Sequence, residues 1–297
     1  MRFNLINLPT LYIKDIANFI LHPYKYCRRK KVNSKLKKYN KYKENNSVVK
    51  FDFVNNVNIS MYPQGQVPEY LFTRNFENET INMLIKYLRS GMNIIDIGAN
   101  VGLYSIIAGK IIGTKGKIWA FEPSSDTIEK FKKNVILNKL ENIKIEKCAL
   151  GDEDDQMIEL VLEQGFGDGH RYLNKDFKKN KNIQEHEKIK VIKLDTYFKD
   201  REKEKIDLVK IDVEGSELHV LKGAHEIIKN NANIVIIFEH APDTFSRYGY
   251  FSKDVMDYLN NLGLKTYFFS KKKNKWIQCE ELGNLWATRN PALLPNL

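Results

Sequence analysis

An apolar segment ends in "DIGANVG", residues 96–102, where glycine and acidic residues come together. Gly98 and Gly102 are four residues apart, which fits a tight turn between a strand and a helix. The dinucleotide fingerprint GxGxxG instead uses three closely spaced glycines to bring the backbone near a pyrophosphate. Asp96 adds a carboxylate that would repel a diphosphate. The segment therefore predicts a site for a cationic ligand without phosphate.

A second acid, Glu122, ends the next apolar segment, "KIWAFEP". It follows Gly98 at close to the roughly 20-residue spacing typical of an acid that binds the hydroxyls of a nucleotide ribose. Glu122 alone would suit NAD equally well. Together with Asp96 it favours S-adenosylmethionine, which carries a sulfonium and an ammonium and no phosphate. We therefore predict S-adenosylmethionine as the cofactor and methyl transfer as the reaction.

Further acids and a histidine stand in "KIDVEGSE" and "FEH". An alcohol is a poor nucleophile at neutral pH, so methyl transfer to a hydroxyl calls for a base. The candidate catalytic residues are Asp212, Glu214 and His240. In an alternative mechanism Asp212, Glu239 and His240 hold a divalent cation such as Mg²⁺, which lowers the pKa of the hydroxyl. We favour the metal-free base; in a third interpretation Asp212 only orients the donor's ammonium group.

Apolar segments that alternate with amphipathic helices must position these residues. The predicted strands cover 93–98, 117–123, 142–150, 206–212 and 233–240, with antiparallel additions at 157–162 and 188–194 and a closing pair at 265–270 and 284–289. The predicted helices cover 77–90, 103–112, 124–138, 216–230 and 252–262. This order predicts an α/β fold with a parallel sheet covered on both faces. Ligands of such sheets bind beyond the carboxyl ends of the strands, where the candidate residues stand.

The positive charge is concentrated at the start of the chain. The net charge is +11, and residues 1–50 hold 13 Lys and Arg against 2 Asp and Glu, which leaves the remainder balanced. We predict a basic, amphipathic N-terminal arm over 1–47, with an amphipathic helix within residues 5–20, and a catalytic domain over 48–297. The arm suits an anionic membrane surface; a helix packed on the body and followed by a solvated linker is an equal alternative.

Cysteine usage bears on location. Cys27, Cys148 and Cys279 are far apart and form no CxxC pair, which argues against a disulfide framework or a zinc knuckle. We expect a cytoplasmic location, at the inner face of a membrane if the arm binds lipid. The oligomeric state cannot be read from the sequence.

Several segments in order resemble the FkbM family of S-adenosylmethionine-dependent methyltransferases: "IDIGANVGLYS", "AFEPSSDTIEKFKKNVILN", "CALGD", "LVKIDVEGSELHVLKGA" and "IFEH". The resemblance implies a class I methyltransferase fold, a Rossmann-like three-layer sandwich whose mostly parallel seven-stranded sheet has an antiparallel edge strand. It also implies methyl transfer to a hydroxyl of a sugar, a glycan or another small polar metabolite. Transferred by position, the cofactor-binding residues are Asp96, Gly98, Asn100, Gly102, Glu122, Ala149 and Asp212.

Two other function classes stay open. A nucleic-acid methyltransferase could use the basic arm to bind the phosphate backbone, although the balanced charge of the body makes nucleic acid an unlikely partner. A methyltransferase-like module could bind a partner without catalysis. The polar, glycine-rich segment 163–176 is either a lid, with His170 and Arg171 reaching the substrate, or a long surface hairpin.

Overall fold

The computed structural model describes residues 23–45, 48–52, 57–61, 69, 72, 77–163, 171–174, 183–201, 204–279 and 282–296. The strands are β1 (Val49–Asp52), β2 (Asn58–Met61), β3 (Asn93–Ile97), β4 (Lys117–Phe121), β5 (Ile143–Glu146), β6 (Ala149–Leu150), β7 (Gln156–Glu163), β8 (Arg171–Asn174), β9 (Ile183–Ile192), β10 (Leu208–Ile211), β11 (Val235–His240), β12 (Lys265–Ser270), β13 (Lys275–Gln278) and β14 (Gly283–Thr288). The helices are α1 (Pro23–Glu44), α2 (Asn78–Tyr87), α3 (Leu103–Ile112), α4 (Ser125–Leu137), α5 (Leu194–Phe198), α6 (Glu217–Gly223), α7 (His225–Asn230), α8 (Pro242–Phe245) and α9 (Ser252–Asn261).

The central sheet has eight strands in the order β13-β12-β14-β11-β10-β3-β4-β5. Strands β5, β4, β3, β10 and β11 are parallel neighbours. Strand β14 runs antiparallel between β11 and β12, and β13 is antiparallel to β12 at the edge. This arrangement confirms the predicted α/β class with its mostly parallel sheet. The sheet exceeds the predicted seven strands by β13, and one antiparallel strand lies inside the sheet.

Both faces of the central sheet are covered by apolar side chains. Alternate residues of β3, such as Ile94 and Ile95, enter two different cores. One core receives α2 and α3, and the other receives α6, α7 and α9. Because successive side chains of a strand point to opposite faces, the residue number along each strand decides which core, and which side of the site, a side chain reaches.

The predicted elements differ from the structure at three places. The segment 142–150 is two strands, since β5 joins the central sheet and β6 pairs with β9 in a separate sheet of order β6-β9-β7-β8. The predicted helix 216–230 is divided at Ala224 into α6 and α7. The antiparallel additions are confirmed as β7 and β9, but they belong to the separate sheet.

The basic stretch after residue 22 is a helix, α1. It carries 10 Lys and Arg and one Glu. Tyr39 is buried and its ring lies 5.7 Å from that of Phe72, so the second half of α1 packs on the body. The amphipathic helix predicted within residues 5–20 lies outside the described residues. Within the described part of the chain, no helix combines the length and apolarity needed to cross a membrane.

Candidate active site

The carboxyl ends of β3, β10 and β11 bring charged side chains onto one face of the central sheet. Lys210 is paired in register with Asp96, and both lie among residues of the face that receives α2 and α3. Asp212 follows two residues after Lys210 and therefore extends from the same face. Glu239 of β11 lies on this face as well, opposite Asn284 of β14. The alternation of the strands thus brings these acids together.

The two glycines of the 96–102 turn serve contacts inside the protein. A Cβ atom on Gly98 would lie 1.9 Å from the carbonyl oxygen of Asp212, and one on Gly102 would lie 2.0 Å from the Phe131 ring. Both glycines also have φ values of the left-handed region, +74° and +87°. Glycine is therefore required at both positions by packing and backbone conformation. Gly98 places the 96–102 turn directly against the turn that carries Asp212.

Glu122 is fixed by two backbone amides. Its Oε2 accepts a hydrogen bond from the N–H of Asn100 at 2.9 Å, and its Oε1 accepts one from the N–H of Ser124 at 2.9 Å. Burial raises the pKa of Glu122 to about 7, and these two hydrogen bonds oppose the shift. Asn100 itself has a left-handed φ of +51°. The turn after β3 and the acid after β4 therefore form one hydrogen-bonded unit, as expected for residues predicted to share a ligand.

Asp96 does not face an open site. Its side chain is 2% exposed, it accepts a hydrogen bond from Ser105 Oγ at 2.6 Å, and its Oδ1 lies 3.9 Å from Lys210 Nζ. Burial raises the pKa of Asp96, whereas the charge of Lys210 and the Ser105 hydrogen bond lower it. The cation nearest to Asp96 among the described residues is thus an internal one. The more exposed acids, rather than Asp96, are therefore the groups that can attract a cationic ligand.

Three residues of this site were missed by the sequence analysis: Lys210, Tyr104 and Glu77. Lys210 Nζ lies 3.0 Å from Asp212 Oδ2 and 4.7 Å from the centre of the Tyr104 ring. The Tyr104 hydroxyl donates a hydrogen bond to Glu77, which precedes α2. Burial raises the pKa of Glu77, and the charge of Asp212 adds to the shift. A lysine inside the apolar strand "LVKI" was the available signal for this cluster.

Glu214 and Glu217 belong to the turn after β10. Glu214 has a left-handed φ of +55°, and Gly215 follows with +106°. Glu217 Oε1 accepts the N–H groups of Val213 at 3.1 Å and Gly215 at 3.3 Å, so Glu217 stabilises the turn from inside the protein. Its Oε2 is buried and has no hydrogen-bond partner among the residues that the structure describes. Burial raises the pKa of Glu217 to about 7.

Glu239 and His240 point to opposite faces of β11. Burial, followed by the negative charges of Asp212 and Glu214, raises the pKa of Glu239 to about 9. His240 is 2% exposed, its Nε2 lies 2.8 Å from Ser252 Oγ, and its ring packs 5.6 Å from that of Phe245 in the other core. The structure therefore brings Glu239, but not His240, to the Asp212 side of the sheet.

The predicted metal site has no preformed set of ligands in the described part of the chain. No three His, Cys, Asp or Glu side chains there lie close enough together to hold a metal ion. The three candidate ligands are divided between the two faces of the central sheet, with Asp212 and Glu239 on one face and His240 on the other. Metal dependence stays a prediction to be tested by experiment.

The remaining predicted residues border the Glu122 side. Ala149 is buried in β6, next to the end of β5. Arg171 Nη1 donates to Thr127 Oγ1 at 3.0 Å in the first turn of α4, and its charge lowers the pKa of Glu122 against the larger effect of burial. Arg171 thus reaches the predicted donor end of the sheet, whereas the lid alternative placed it at the substrate. His170 lies outside the described residues.

The charges of the site favour a cation as ligand. Lys210 is balanced by Asp96 and Asp212 at close range, and Glu77, Glu214 and Glu239 remain as further acids around it. Burial and the negative charges of Asp212 and Glu214 raise the pKa of Glu239, so a positive charge placed in this cluster would be stabilised. Together with the paired oxygens of Glu122, the geometry can hold a ligand with a ribose and a positive charge, and it offers carboxylates that could accept a proton.

Comparison with known proteins supports the same class. The family described as the methyltransferase FkbM domain matches residues 96–265. A hexuronic acid methyltransferase of Haloferax volcanii is 27% identical over 190 residues, which cover 64% of this chain and 70% of that protein. Methyltransferase 1 of Beauveria bassiana is 24% identical over 143 residues, 44% of this chain and 57% of that protein. The chain thus spans less than two thirds of the length of some curated relatives that it matches.

Among solved structures, an S-adenosylmethionine-dependent O-methyltransferase of Thermotoga maritima is similar, with a TM-score of 0.41 and 12% identity, over 82% of this chain and 77% of that one. This likeness carries no argument about the reaction. The family match covers more than half of the chain and includes the strand ends that hold Asp96, Glu122, Asp212 and Glu239. This protein belongs to the FkbM methyltransferase family.

Proposed function

We propose that this protein transfers a methyl group from S-adenosylmethionine to a hydroxyl of a sugar, a glycan or another small polar metabolite. The observation that carries the proposal is the arrangement of acids at adjacent strand ends. Glu122 stands beside the glycine turn, and Asp212 and Glu239 stand together on one sheet face. The first position suits a ribose, and the second suits a positive charge and a proton.

The residues fit the donor. Each oxygen of Glu122 accepts one backbone N–H and retains capacity for another hydrogen bond, so the pair can accept both ribose hydroxyls. The sulfonium and ammonium groups would meet the acidic side formed by Asp212 and Glu239. When bound, S-adenosylmethionine supplies a methyl group on a positively charged sulfur. The protein must then align the acceptor oxygen with that methyl group and remove a proton.

Asp212 is one of two carboxylates of this turn that can act as the base on the acceptor hydroxyl. Its side chain is 29% exposed, and only Oδ2 is held by Lys210, so Oδ1 can accept a proton from an acceptor. Glu214 stands in the same turn and remains a second candidate. His240 would have to leave its contact with Ser252 and cross to the other face of β11 to act on the same hydroxyl. The geometry therefore places Asp212 and Glu214 ahead of His240, and Glu214 is left as the base if Oδ1 of Asp212 binds the donor's ammonium group.

The acceptor class rests on one relative and on the distribution of charge along the chain. The Haloferax volcanii relative is named for methylation of a hexuronic acid, which favours a sugar as the acceptor here. A nucleic-acid acceptor is less favoured, because the basic excess is confined to the first 50 residues and the body carries no net charge.

A methyl-transfer assay tests the function. Labelled S-adenosylmethionine is offered with nucleotide sugars, free glycans, lipid-linked glycans and RNA. We expect label in a sugar fraction, and at least about 100-fold less of it when the base is removed by Asp212→Asn or by Glu214→Gln, since general bases contribute about 10²–10⁴-fold. Asp257→Asn, an exposed acid of α9, is the matched control and should behave as wild type. Label in RNA alone would refute the acceptor class, and loss of activity in EDTA would restore the metal mechanism.

A non-catalytic module is the remaining alternative. Calorimetry with S-adenosylmethionine separates it from an enzyme, since a protein that does not bind the donor cannot transfer its methyl group. Donor binding without transfer to any acceptor class would support a binding role.

We further propose that α1 binds an anionic membrane surface. Its basic residues suit anionic lipid headgroups, each worth about 1 kcal/mol near such a surface, and Tyr39 fixes the helix on the body. The apolar residues before α1 in the sequence favour lipid over nucleic acid as the partner. We expect full-length protein to sediment with vesicles that contain phosphatidylserine and not with neutral vesicles.

Matched variants test this membrane proposal. Replacing the four basic residues at 28–31 by Gln should release the protein from anionic vesicles. Replacing Lys271, Lys272, Lys273 and Lys275 by Gln removes the same charge from the body and should leave binding unchanged. Equal effects of the two variants would refute a specific role for α1, and a salt-sensitive shift on RNA that only the 28–31 variant loses would favour nucleic acid instead.

A further inference from the structure

Lys210 is a buried cation near the middle of the central sheet. It lies on β10 between β3 and β11, and its side chain is 6% exposed. The other residues of this strand are Leu208, Val209 and Ile211. A buried ammonium group is costly unless opposite charges and hydrogen bonds compensate it. The groups that contact Nζ of Lys210 therefore indicate the role of its buried charge.

Two carboxylates and one aromatic ring enclose the ammonium group. Nζ lies 3.0 Å from Asp212 Oδ2, 3.9 Å from Asp96 Oδ1 and 4.7 Å from the centre of the Tyr104 ring. The ring is itself held by the hydrogen bond from its hydroxyl to Glu77. Lys210 thus has packed neighbours on several sides, which fixes where its charge can lie.

The two carboxylates differ in what they can reach. Asp96 is 2% exposed, whereas Asp212 is 29% exposed and stands at the open end of the sheet. The backbone of Asp212 is also fixed, because its N–H donates to Ile97 at 3.0 Å and its carbonyl packs against Gly98. The hydrogen bond from Lys210 to Oδ2 then fixes the side chain as well. Within the part of the chain that the structure describes, Oδ1 of Asp212 is the oxygen left for a ligand.

We propose that Lys210 is a positioning residue of the donor site, which holds Oδ2 of Asp212 so that Oδ1 faces the ammonium group of the donor's amino-acid portion. This inference rests on the proposed function, because it concerns the binding of S-adenosylmethionine. Asp96 and Tyr104 support Lys210 from the buried side. Lys210 touches neither the donor nor the acceptor in this scheme and acts through Asp212.

A purely electrostatic role makes a different prediction. S-adenosylmethionine carries one positive charge more than S-adenosylhomocysteine, and the two share the same amino-acid portion. If Lys210 contributed only a repelling charge, its removal would strengthen binding of the more positive ligand. If Lys210 positions Asp212, its removal weakens binding of both ligands to a similar degree. The ratio of the two dissociation constants therefore separates the roles.

The experiment measures both dissociation constants by calorimetry on full-length protein. Lys210→Met removes the charge at similar side-chain length. Because this change leaves Asp96 buried without its cation, the double variant Asp96→Asn/Lys210→Met provides a second background. Asp212→Asn, alone and combined with Lys210→Met, completes a double-mutant cycle. Lys117→Met is the matched control, since it removes an ion pair to Glu204 at the opposite end of β4.

We expect Lys210→Met and Asp96→Asn/Lys210→Met to bind both ligands about 10-fold more weakly, which corresponds to about 1.4 kcal/mol. Adding Lys210→Met to Asp212→Asn should cause no further loss, and Lys117→Met should bind as wild type. Unchanged or tighter binding in a folded variant would overturn the proposal, as would additive losses in the cycle. Failure of the Asp96→Asn/Lys210→Met variant to fold would assign Lys210 a structural role instead. Wild-type protein that binds neither ligand would overturn the proposed function itself.

Discussion

Replacing Glu217 by Gln should raise the free energy of unfolding relative to wild type at pH 8. At pH 5 the same gain should be much smaller. Glu217 is 1% exposed, and only one of its two oxygens has hydrogen-bond donors, the N–H groups of Val213 and Gly215. Burial raises the pKa of Glu217 from 4.5 to about 7. Gln keeps an oxygen that can accept both N–H groups and removes the charge that burial disfavours.

The sign follows from proton linkage. The folded state binds the proton of Glu217 more tightly than the unfolded state, so this group stabilises the fold below pH 4.5 and the contribution is lost as pH rises through 7. A shift of about 2.5 pKa units at about 1.36 kcal/mol per unit gives about 3 kcal/mol for the whole transition. Most of it falls between pH 5 and pH 8, so Glu217→Gln should gain about 2–3 kcal/mol relative to wild type over that range.

Urea denaturation followed by circular dichroism at pH 5, 6.5 and 8 measures this difference. Glu129→Gln is the control, because Glu129 is exposed and its pKa is lowered by the hydrogen bond and charge of Lys132. That variant should gain no stability relative to wild type between pH 5 and pH 8. A Glu217→Gln difference that is the same at all three pH values would refute the assignment of a buried, proton-binding carboxyl to this turn.

Two further predictions concern Gly98 in the 96–102 turn and the acid Glu122, which is hydrogen-bonded to that turn. Gly98→Ala should lower the free energy of unfolding by about 3 kcal/mol or more, measured by thermal denaturation, because of left-handed backbone strain and the 1.9 Å approach of the new Cβ atom to the carbonyl oxygen of Asp212. Gly249→Ala, at a position with a similar φ and open space, should lower it by only about 1–2 kcal/mol. Equal losses in the two variants would contradict the close contact at Gly98. Glu122→Gln should weaken binding of S-adenosylhomocysteine about 10-fold by calorimetry, a typical loss for one charged hydrogen-bond acceptor; unchanged affinity would remove Glu122 from the ribose site.

The strand ends could be predicted because their signals are local. Asp96, Glu122 and Asp212 each follow an apolar run that the structure shows as a parallel strand, and each stands at the carboxyl end of that strand. The helices over 103–112 and 124–138 were predicted to within one residue of their ends. These features depend on residues that are close in sequence, so one sequence was enough to place them.

The pairing of distant side chains could not be predicted in this way. Lys210 meets Asp96 because β10 lies beside β3 in a particular register, and the two residues are more than 100 positions apart. The ring of Tyr104 reaches Lys210 only through the packing of α3 on that same face. The lysine in "LVKI" carried a signal that a charge was buried, but the identity of its partners depended on the sheet order.

The sequence pattern also could not show to which sheet a strand belongs. Residues 142–150 are apolar enough to suggest one strand, but β5 ends at Glu146 and β6 begins at Ala149 in a different sheet. His240 shows the same limit on a smaller scale. The motif "FEH" places it beside Glu239, and only the alternation of β11 separates their side chains onto opposite faces.

The position of β14 has a consequence for synthesis of the protein. Asn284 at its beginning faces Glu239, and the strand fills the gap between β11 and β12, although all other strands precede it in the chain. During translation β11 therefore remains without its antiparallel neighbour until residues 283–288 have left the ribosome. The nascent chain exposes an apolar strand edge, which invites pairing with other chains. Pairing of β14 with β11 therefore completes the acidic site and covers this strand edge in the same late step of folding.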